Sequence, residues 1–492
     1  MELIPDTFRF RPLECGPGVP IKPSAMKKIA LIALPILALC AGACKAEDPA
    51  GLKPRLVVLT DIGPADLEPD DNESAVRLLS YADRFEIELI ACSVGWNCDP
   101  YPPQSAEYLY RVVEAYGKDV MNLWKRSGQT SFQSLEKENG QQELGYWPSM
   151  EYIRSRSMLG SSRGGIAVVG EGNDSPGSEL LVKLGFEDDP RPIYVCAWGG
   201  ANTLSQAIWR VQQTHTPEEV KAFVRKFRLY TITDQDMSFP RRQDLAYSSH
   251  QWLRRDFKDD LLFVWDESAW LNQNGLGRRN WDKYAELIQG HGAMGDVYPR
   301  FKFGVEGDTP SFLHVMPNGL NDPEDPTQVG WGGYHEWSIS PDGETYAWTN
   351  WEQTVKEISN AYEQKFYPDE FNDFAARMQW AAEGEGNRNP IVRIDGKGGL
   401  EPVRMQVAAG SEFKVDAGAS SDPDGDGLTF NWWFQEFVSK PVFPTLAGGE
   451  TPVVTVTVPE TMAGQVFHLV CEVHDNGPWH LPAYRRIILE VK

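Results

Sequence analysis

The spacing of hydrophobic residues changes character along this chain. From Arg55 to about Phe303, short apolar runs alternate with segments whose apolar residues recur every three or four positions. The first run, Arg55–Thr60, predicts a buried strand, and the segment from Glu73 to Ala82 keeps its apolar residues on one helical face. This alternation predicts an α/β fold, a mostly parallel sheet with helices on both faces, with any ligand beyond the carboxyl ends of the strands.

The same patterns predict the remaining elements of this first region. Further strands are expected over 87–94, 166–169, 193–197, 229–233 and 261–265, and further helices over 105–116, 178–184 and 203–212.

The pattern changes near residue 350. Residues 352–383 have a helical pattern that ends in a Gly- and Asn-rich linker at 384–390, and strict strand alternation follows over 412–416, 453–458 and 467–473. The chain therefore divides into an α/β domain (52–350), a helical extension with linker (351–388) and an Ig-like β-sandwich (389–492).

The N-terminus predicts export. Residues 26–46 contain two lysines, an apolar run and then small residues, the pattern of a signal peptide, and residues 1–25 are expected to be a non-native upstream extension. Cys44 follows Ala-Gly-Ala, which fits either a lipid-carrying cysteine or simple cleavage. The protein is thus expected in the periplasm, on the cell surface as a lipoprotein or outside a bacterial cell, with membrane contact only through Cys44. Cys92 and Cys98 are close enough in sequence to pair across a loop.

The composition limits the classes of ligand that the protein is expected to bind. With 47 basic and 70 acidic residues the formal net charge is −23, which excludes electrostatic capture of nucleic acid or of an anionic membrane. The 17 Trp, 17 Tyr and 22 Phe suit either ordinary cores or faces that stack on sugars, and composition alone does not separate the two.

Three acids fall where this fold places its chemistry. Asp61 ends the first strand, and Asp70 and Asp71 open the next helix. Both places lie at the ligand-binding edge of a parallel sheet, so the carboxylates would repel one another unless an oxygen-seeking cation such as Ca²⁺ lies between them. The alternative is that Asp70 and Asp71 only cap the helix. Asp61 at the strand terminus favours the cation.

These segments resemble a known family. TDIG at 60–63 and PDDNESAVRLLSYADRFEIELIA at 69–91 are similar to the aspartate motif of nucleoside hydrolases. They resemble more closely the exported bacterial cellulose-binding, nucleoside-hydrolase-like proteins, which join this domain to a C-terminal β-sandwich. Segments 170–174, 198–204 and 306–320 also match the family, and residues 416–432 resemble a polycystic-kidney-disease type of Ig-like domain.

The resemblance implies roles for particular residues. Ca²⁺ would be held by the carboxylates of Asp61, Asp71 and Asp308 and by the backbone carbonyl of Asn202. Asp61 would also take a proton from the attacking water, and Asp70 would contact a sugar hydroxyl. The remaining motif residues implied to contact substrate are Glu171, Asp174, Asn202 and Asn318.

Two departures from the nucleoside-hydrolase pattern concern catalysis. The aspartate motif carries an insertion, Pro64 to Glu68, and Gly307 stands where many nucleoside hydrolases have the histidine that protonates the leaving base. His314 is the candidate substitute for that acid, with an ordinary core histidine as the alternative.

Three functions remain after these observations. The first is an exported carbohydrate-active protein with a calcium pocket that hydrolyses a glycosidic bond of a plant-glycan-derived substrate through water activated at the metal. The second is a non-catalytic protein that binds cellulose or another polysaccharide. The third, a nucleoside N-ribohydrolase, is disfavoured by Gly307 and by the export signal.

Overall fold

The computed structural model describes residues 51–129, 143–236, 247–436 and 442–492. The predicted upstream extension (1–25), the signal peptide (26–46) and Cys44 lie outside the described residues. The described residues form one compact unit. Among the described helices, none combines the length and the apolar character that a membrane crossing requires.

An eight-stranded sheet forms the centre of the first domain. Its spatial order is β3-β2-β1-β4-β5-β6-β8-β7, and every neighbouring pair is parallel except β7 with β8. The strands are β1 (Arg55–Thr60), β2 (Glu86–Cys92), β3 (Ser157–Leu159), β4 (Ile193–Ala197), β5 (Phe227–Ile232), β6 (Leu262–Asp266), β7 (Glu336–Ile339) and β8 (Tyr346–Thr349).

Helices cover both faces of this sheet, as the sequence predicts. They are α1 (Pro69–Ser80), α2 (Ala106–Ser127), α3 (Met150–Ser155), α4 (Pro176–Gly185), α5 (Asn202–Thr214), α6 (Pro217–Val224), α7 (Ser249–Asp256), α8 (Ala269–Arg279), α9 (Trp281–Leu287), α10 (Gly292–Val297), α11 (Thr309–Leu313) and α12 (Gln353–Glu383). Helices α1, α2, α10 and α12 share one apolar core with the sheet, and α4 to α7 share another. The predicted α/β fold class is confirmed.

Strand β1 lies in the middle of this sheet and is buried along its whole length. It pairs with β2 on one side and β4 on the other, with Thr60 opposite Cys92 and Leu59 opposite Ala197. The carboxyl ends of all three strands therefore reach the same edge, and the loops that follow them meet there.

The residues that follow the long helix α12 in the chain form two packed sheets. The strands are β9 (Val403–Val407), β10 (Glu412–Asp416), β11 (Leu428–Phe434), β12 (Thr445–Ala447), β13 (Val453–Thr457), β14 (Val466–Asp475) and β15 (Pro482–Val491). They form the sheets β10-β13-β12 and β11-β14-β15-β9, whose inner residues share one core. Trp432 is buried in that core, whereas Trp433 lies half-buried beside Tyr362 and Phe366 of α12.

Two sequence-based expectations differ from the structure. Residues 166–169 do not form a strand; Ile166–Val168 is a short 3₁₀ turn that follows Gly165, whose φ of 85° is left-handed. The position beside β2 belongs instead to β3, three residues long and too short for its pattern to predict. Cys92 and Cys98 are both buried and unpaired, so the disulfide does not form.

Candidate metal centre

Five carboxylates meet at the carboxyl edge of the sheet. Asp61 follows β1, Asp70 and Asp71 lie in the first turn of α1, and Asp308 precedes α11. The fifth is Glu68, directly before α1, whose carboxylate approaches those of Asp70 and Asp71 so that ligand atoms of all three lie within 4.8 Å of one another. Asp61 and Asp308 lie outside this group of three but close enough for their carboxylates to interact electrostatically with those of Asp70 and Asp71.

Local packing holds the side chains of Asp61 and Asp71 in place. The hydroxyl of Thr60 donates a hydrogen bond to Asp71 Oδ1, which ties the first turn of α1 to the end of β1. Two glycines let neighbouring loops pass close to Asp61: a Cβ at Gly95 would lie 1.7 Å from Asp61 Oδ2, and one at Gly199 would lie 3.1 Å from Asp61 Oδ1. Since no side chain fits at 95 without displacing Asp61, the backbone after β2 forms one wall of the site.

A buried ion pair positions Asp308. Glu306 has a left-handed backbone (φ 56°), an unfavourable conformation for a residue with a side chain, and its surroundings hold it there. Arg77 Nη1 donates to Glu306 Oε2 at 2.5 Å, and the Glu306 backbone amide donates to Glu73 Oε2 at 2.7 Å. Both partners belong to α1, so the helix that carries Asp70 and Asp71 also sets the course of the chain into Asp308.

Burial and repulsion between carboxylates are the main influences on the pKa values of these acids. Removal from water raises the pKa values of Asp61 and Asp308 well above the usual range, and the neighbouring carboxylates raise them further. The pKa of Asp71 is raised by burial and by Asp70, and that of Glu68 by burial and by Asp71. Burial alone raises the pKa of Asp70 to about 6, against backbone hydrogen bonds that lower it.

The donor set fits a hard divalent cation. Every converging group is a carboxylate, and within the described residues none of the five forms an ion pair with Arg, Lys or His. Asp308 Oδ2 is buried without a hydrogen-bond partner, which is costly for a charged oxygen unless a ligand compensates. Oxygen-rich anionic sites of this kind suit Ca²⁺, which takes six to eight oxygen ligands.

Two further side chains at this edge escaped the sequence analysis. Glu68 belongs to the Pro64–Glu68 insertion and accepts a hydrogen bond from Asn97 Nδ2. Asn274, on α8, lies beside Gly307: a Cβ at Gly307 would be 3.0 Å from Asn274 Nδ2 and 2.9 Å from Asp70 Oδ2. An acid two residues before Asp70 was a usable signal for Glu68, whereas the sequence contains no motif around Asn274.

Asn202 begins α5 at the same edge of the sheet. Its Nδ2 donates to the Gly165 carbonyl at 2.9 Å, while its buried Oδ1 has no hydrogen-bond partner. Glu171 and Asp174 belong to the loop before α4, where Arg210 of α5 pairs with both and Gln206 of α5 donates to Asp174 at 2.8 Å. Their partners are side chains of α5, and Glu171 is 82% exposed, so the structure does not bring these two to the carboxylates.

The structure also places Asn318 and His314 apart from the carboxylates. Asn318 lines a cavity of about 110 Å³ together with Tyr81, which directly follows the far end of α1. Ten helical positions separate Tyr81 from Asp71, about 15 Å.

His314 directly follows α11 and is buried against the rings of Tyr230 and His335, with centroid distances of 5.4 and 5.7 Å. Burial lowers its pKa to about 4. These surroundings are those of a core histidine, the alternative left open by the sequence, and they do not direct the imidazole toward Asp70.

Comparison with known proteins follows the same division of the chain. Residues 55–335 match the family model described as "Cellulose-binding Sde182, nucleoside hydrolase-like domain", and residues 412–491 match "Cellulose-binding protein Sde0182, C-terminal domain". No curated protein matches the chain.

One solved structure supports this assignment. A nucleoside hydrolase-related protein from Saccharophagus degradans, described as associated with carbohydrate metabolism, is 30% identical with a TM-score of 0.73, covering 89% of this chain and 100% of its own. The PKD domain of the KIAA 1837 protein covers 18% of this chain and 79% of its own at 17% identity, with a TM-score of 0.15.

Proposed function

Because this chain belongs to the family of cellulose-binding, nucleoside hydrolase-like proteins, we propose that it is an exported, carbohydrate-active protein with a calcium pocket that hydrolyses a glycosidic bond of a plant-glycan-derived substrate. The association of the Saccharophagus degradans relative with carbohydrate metabolism supports a sugar as the ligand. The signal-peptide pattern at 26–46 supports export to the periplasm, the cell surface or the medium.

The convergence of Asp61, Asp71 and Asp308 carries this proposal. These carboxylates are buried at the carboxyl edge of a parallel sheet, the place where α/β folds bind ligands. They lack a pairing cation of the protein's own among the described residues, so folding them together costs free energy that a bound Ca²⁺ would recover. Proteins keep a local loss of stability of this kind where the residues that cause it serve a function.

The side chains of the pocket divide the chemistry among them. Bound Ca²⁺ would supply the positive charge that holds a water and vicinal sugar hydroxyls in place. Asp61 would accept a proton from the attacking water, since a carboxylate beside the metal can act as the general base. Asp70 and Asn274 border the space beside Gly307, and Asp70 would bind a sugar hydroxyl there. The surrounding carboxylates stabilise the positive charge of an oxocarbenium-like transition state.

One observation favours a second candidate, a protein that binds a glycan without cleaving it. The space next to Gly307 is bordered by the Asn274 amide, and an amide cannot protonate a leaving group. Among the sequence-predicted residues His314 is the candidate for that acid, and it is packed in the core. A hydrolase of this design would need another acid, or a substrate whose leaving group departs without protonation.

Turnover of activated glycosides separates the two candidates. The mature chain is assayed with a panel of soluble nitrophenyl glycosides in calcium and in chelator, beside Asp61→Asn. The hydrolase predicts calcium-dependent release of nitrophenol that Asp61→Asn abolishes while circular dichroism stays unchanged. Asp66→Asn, the same substitution at an exposed acid of the neighbouring loop, is the matched control.

Full activity in Asp61→Asn would rule out the proposed role of that carboxylate. Tight calcium binding without turnover on any glycoside, together with retention on an insoluble polysaccharide, would establish the second candidate instead.

A further inference from the structure

The outer face of the β7–β8 hairpin is aromatic and exposed. Trp337 and Trp348 are directly opposite each other across the two antiparallel strands, and Ile339 is opposite Tyr346, so all four side chains share one face. Trp337 is 44% exposed and Tyr346 50% exposed. The other face of β8, with Ala347 and Thr349, is buried.

Cross-strand packing fixes the orientation of these rings. The planes of Trp337 and Tyr346 lie within 23° of each other at a centroid distance of 6.2 Å, and Trp337 contacts Trp348 edge-on at 5.6 Å. Rings that pack against one another keep few rotamers, so a ligand that stacks on them loses little side-chain entropy on binding.

A groove of about 410 Å³ runs beside the hairpin and is lined by Trp337 and Trp348. Its charged lining residues balance: three are basic and three acidic, namely Arg225, Arg228, Lys258, Asp259, Asp260 and Glu324. Arg228 pairs with Glu324 at 2.7 Å and Arg225 with Asp260 at 2.6 Å. In a chain of net charge −23, this groove is locally neutral and rich in hydrogen-bonding groups, which fits an uncharged polyhydroxylated ligand.

The groove lies far from the carboxylates. Arg228 and Leu262 stand at the amino ends of β5 and β6, whereas Asp61 follows the carboxyl end of β1. Four strand spacings separate β1 from β8 in the order β1-β4-β5-β6-β8, about 19 Å. A ligand in this groove therefore does not occupy the pocket of the acids.

We propose that the β7–β8 face and its groove form a separate binding site for a neutral polysaccharide of β-linked hexopyranoses, stacked on Trp337 and Tyr346. The flat faces of such sugars carry C–H groups that pack on indole and phenol rings, while their equatorial hydroxyls reach the charged rim. The volume of the groove falls in the range of ordinary ligand sites. This inference rests on the proposed carbohydrate function and gives it an anchoring surface distinct from the reacting one.

A protein partner fits this face less well. Exposed aromatic patches rimmed by polar groups mark binding sites of either kind. The aromatic strand β7 is only four residues long, which offers little backbone for strand pairing with a second copy. The balanced rim also provides no net charge to attract an oppositely charged protein.

Depletion binding to insoluble polysaccharides tests the site. The wild-type mature chain and Trp337→Ala are titrated onto microcrystalline cellulose, and we expect about tenfold weaker binding for the variant because one ring contact is lost. Trp337→Tyr keeps a stacking ring and is expected to restore most of the affinity. Phe186→Ala is the matched control, because Phe186 is 46% exposed on another surface and its removal should leave the affinity unchanged.

Several results would overturn the inference. The wild type and Trp337→Ala would bind cellulose equally, or Trp337→Ala and Phe186→Ala would lose the same affinity for it. Failure of the wild type to bind cellulose would also contradict the inference. So would a wild-type dimer in light scattering that Trp337→Ala dissociates. Melting temperatures identify any variant that fails to fold, and Trp337→Tyr then carries the comparison. Soluble glycosides test the acidic pocket separately, so failure of one site leaves the result for the other intact.

Discussion

The guanidinium of Arg77 donates a 2.5 Å hydrogen bond to Glu306 Oε2, joining positions 229 residues apart in the chain. Both side chains are fully buried, and Glu306 also accepts from Tyr298 and Gln273. The pair fastens the helix of Asp70 and Asp71 to the segment that leads into Asp308. The integrity of the acidic pocket therefore depends on an ion pair outside it.

Breaking this pair should destabilise the protein strongly. Arg77→Met leaves the Glu306 carboxylate buried without its cation, and we expect the free energy of unfolding to fall by about 3–5 kcal/mol. Urea denaturation measures the change. Arg163→Met is the control, because Arg163 pairs with Asp99 at the surface and its loss should cost less than about 1 kcal/mol. Similar losses in the two variants would contradict the role assigned to Arg77.

Removing one carboxylate should have opposite effects with and without calcium. In chelator, Asp308→Asn relieves repulsion among the buried acids, so the melting temperature should rise above that of the wild type. In calcium, the stability of the wild type should rise with the logarithm of the calcium concentration above Kd, by about 2.7 kcal/mol at a hundredfold excess, and the variant should gain far less. Scanning calorimetry in both buffers measures the two effects, and an equal calcium shift in both proteins would refute the ligand role of Asp308.

The close approach of Gly95 to Asp61 should make that glycine irreplaceable. Gly95→Ala would place a Cβ 1.7 Å from Asp61 Oδ2 and displace the carboxylate, so calcium affinity should fall at least about tenfold. Gly63→Ala is the matched change, since its Cβ would meet its nearest neighbour, the Asp61 carbonyl, at 3.7 Å. Isothermal titration with calcium compares them, and equal affinities would show that the loop yields instead of the carboxylate.

The buried His314 should make the fold sensitive to acid. Its folded-state pKa is lowered by burial to about 4, below the ordinary 6.5. The unfolded chain therefore takes up this proton first, so the stability that depends on neutral His314 is present above pH 6.5 and lost as pH falls toward 4. In His314→Gln this loss is absent, so its stability deficit relative to wild type should shrink between pH 7 and pH 4.5 in urea titrations. A deficit that stays constant would contradict the shifted pKa.

Local sequence pattern accounts for most of the architecture. The apolar run Arg55–Thr60 is buried at every position, as predicted, and the strand 193–197 is matched residue for residue. The prediction was wrong where the hydrophobic pattern was weak: the apolar residues at 166–169 lie in a mostly half-buried turn, and the edge strand Ser157–Leu159 was missed. Short edge elements bury little surface of their own, so their conformation follows from the neighbours they pair with.

The sequence by itself determined that Asp61, Asp70 and Asp71 reach one edge of the sheet, because a strand end and the next helix start meet there in any parallel β-α unit. Only the tertiary structure decided which other groups join them. It brought in Glu68 from an insertion and Asn274 from α8, and it left His314 in the core and Asn318 at a distant cavity. Spacing along the chain sets periodicity and burial, but the meeting of remote side chains depends on strand order and loop course, which no local pattern contains.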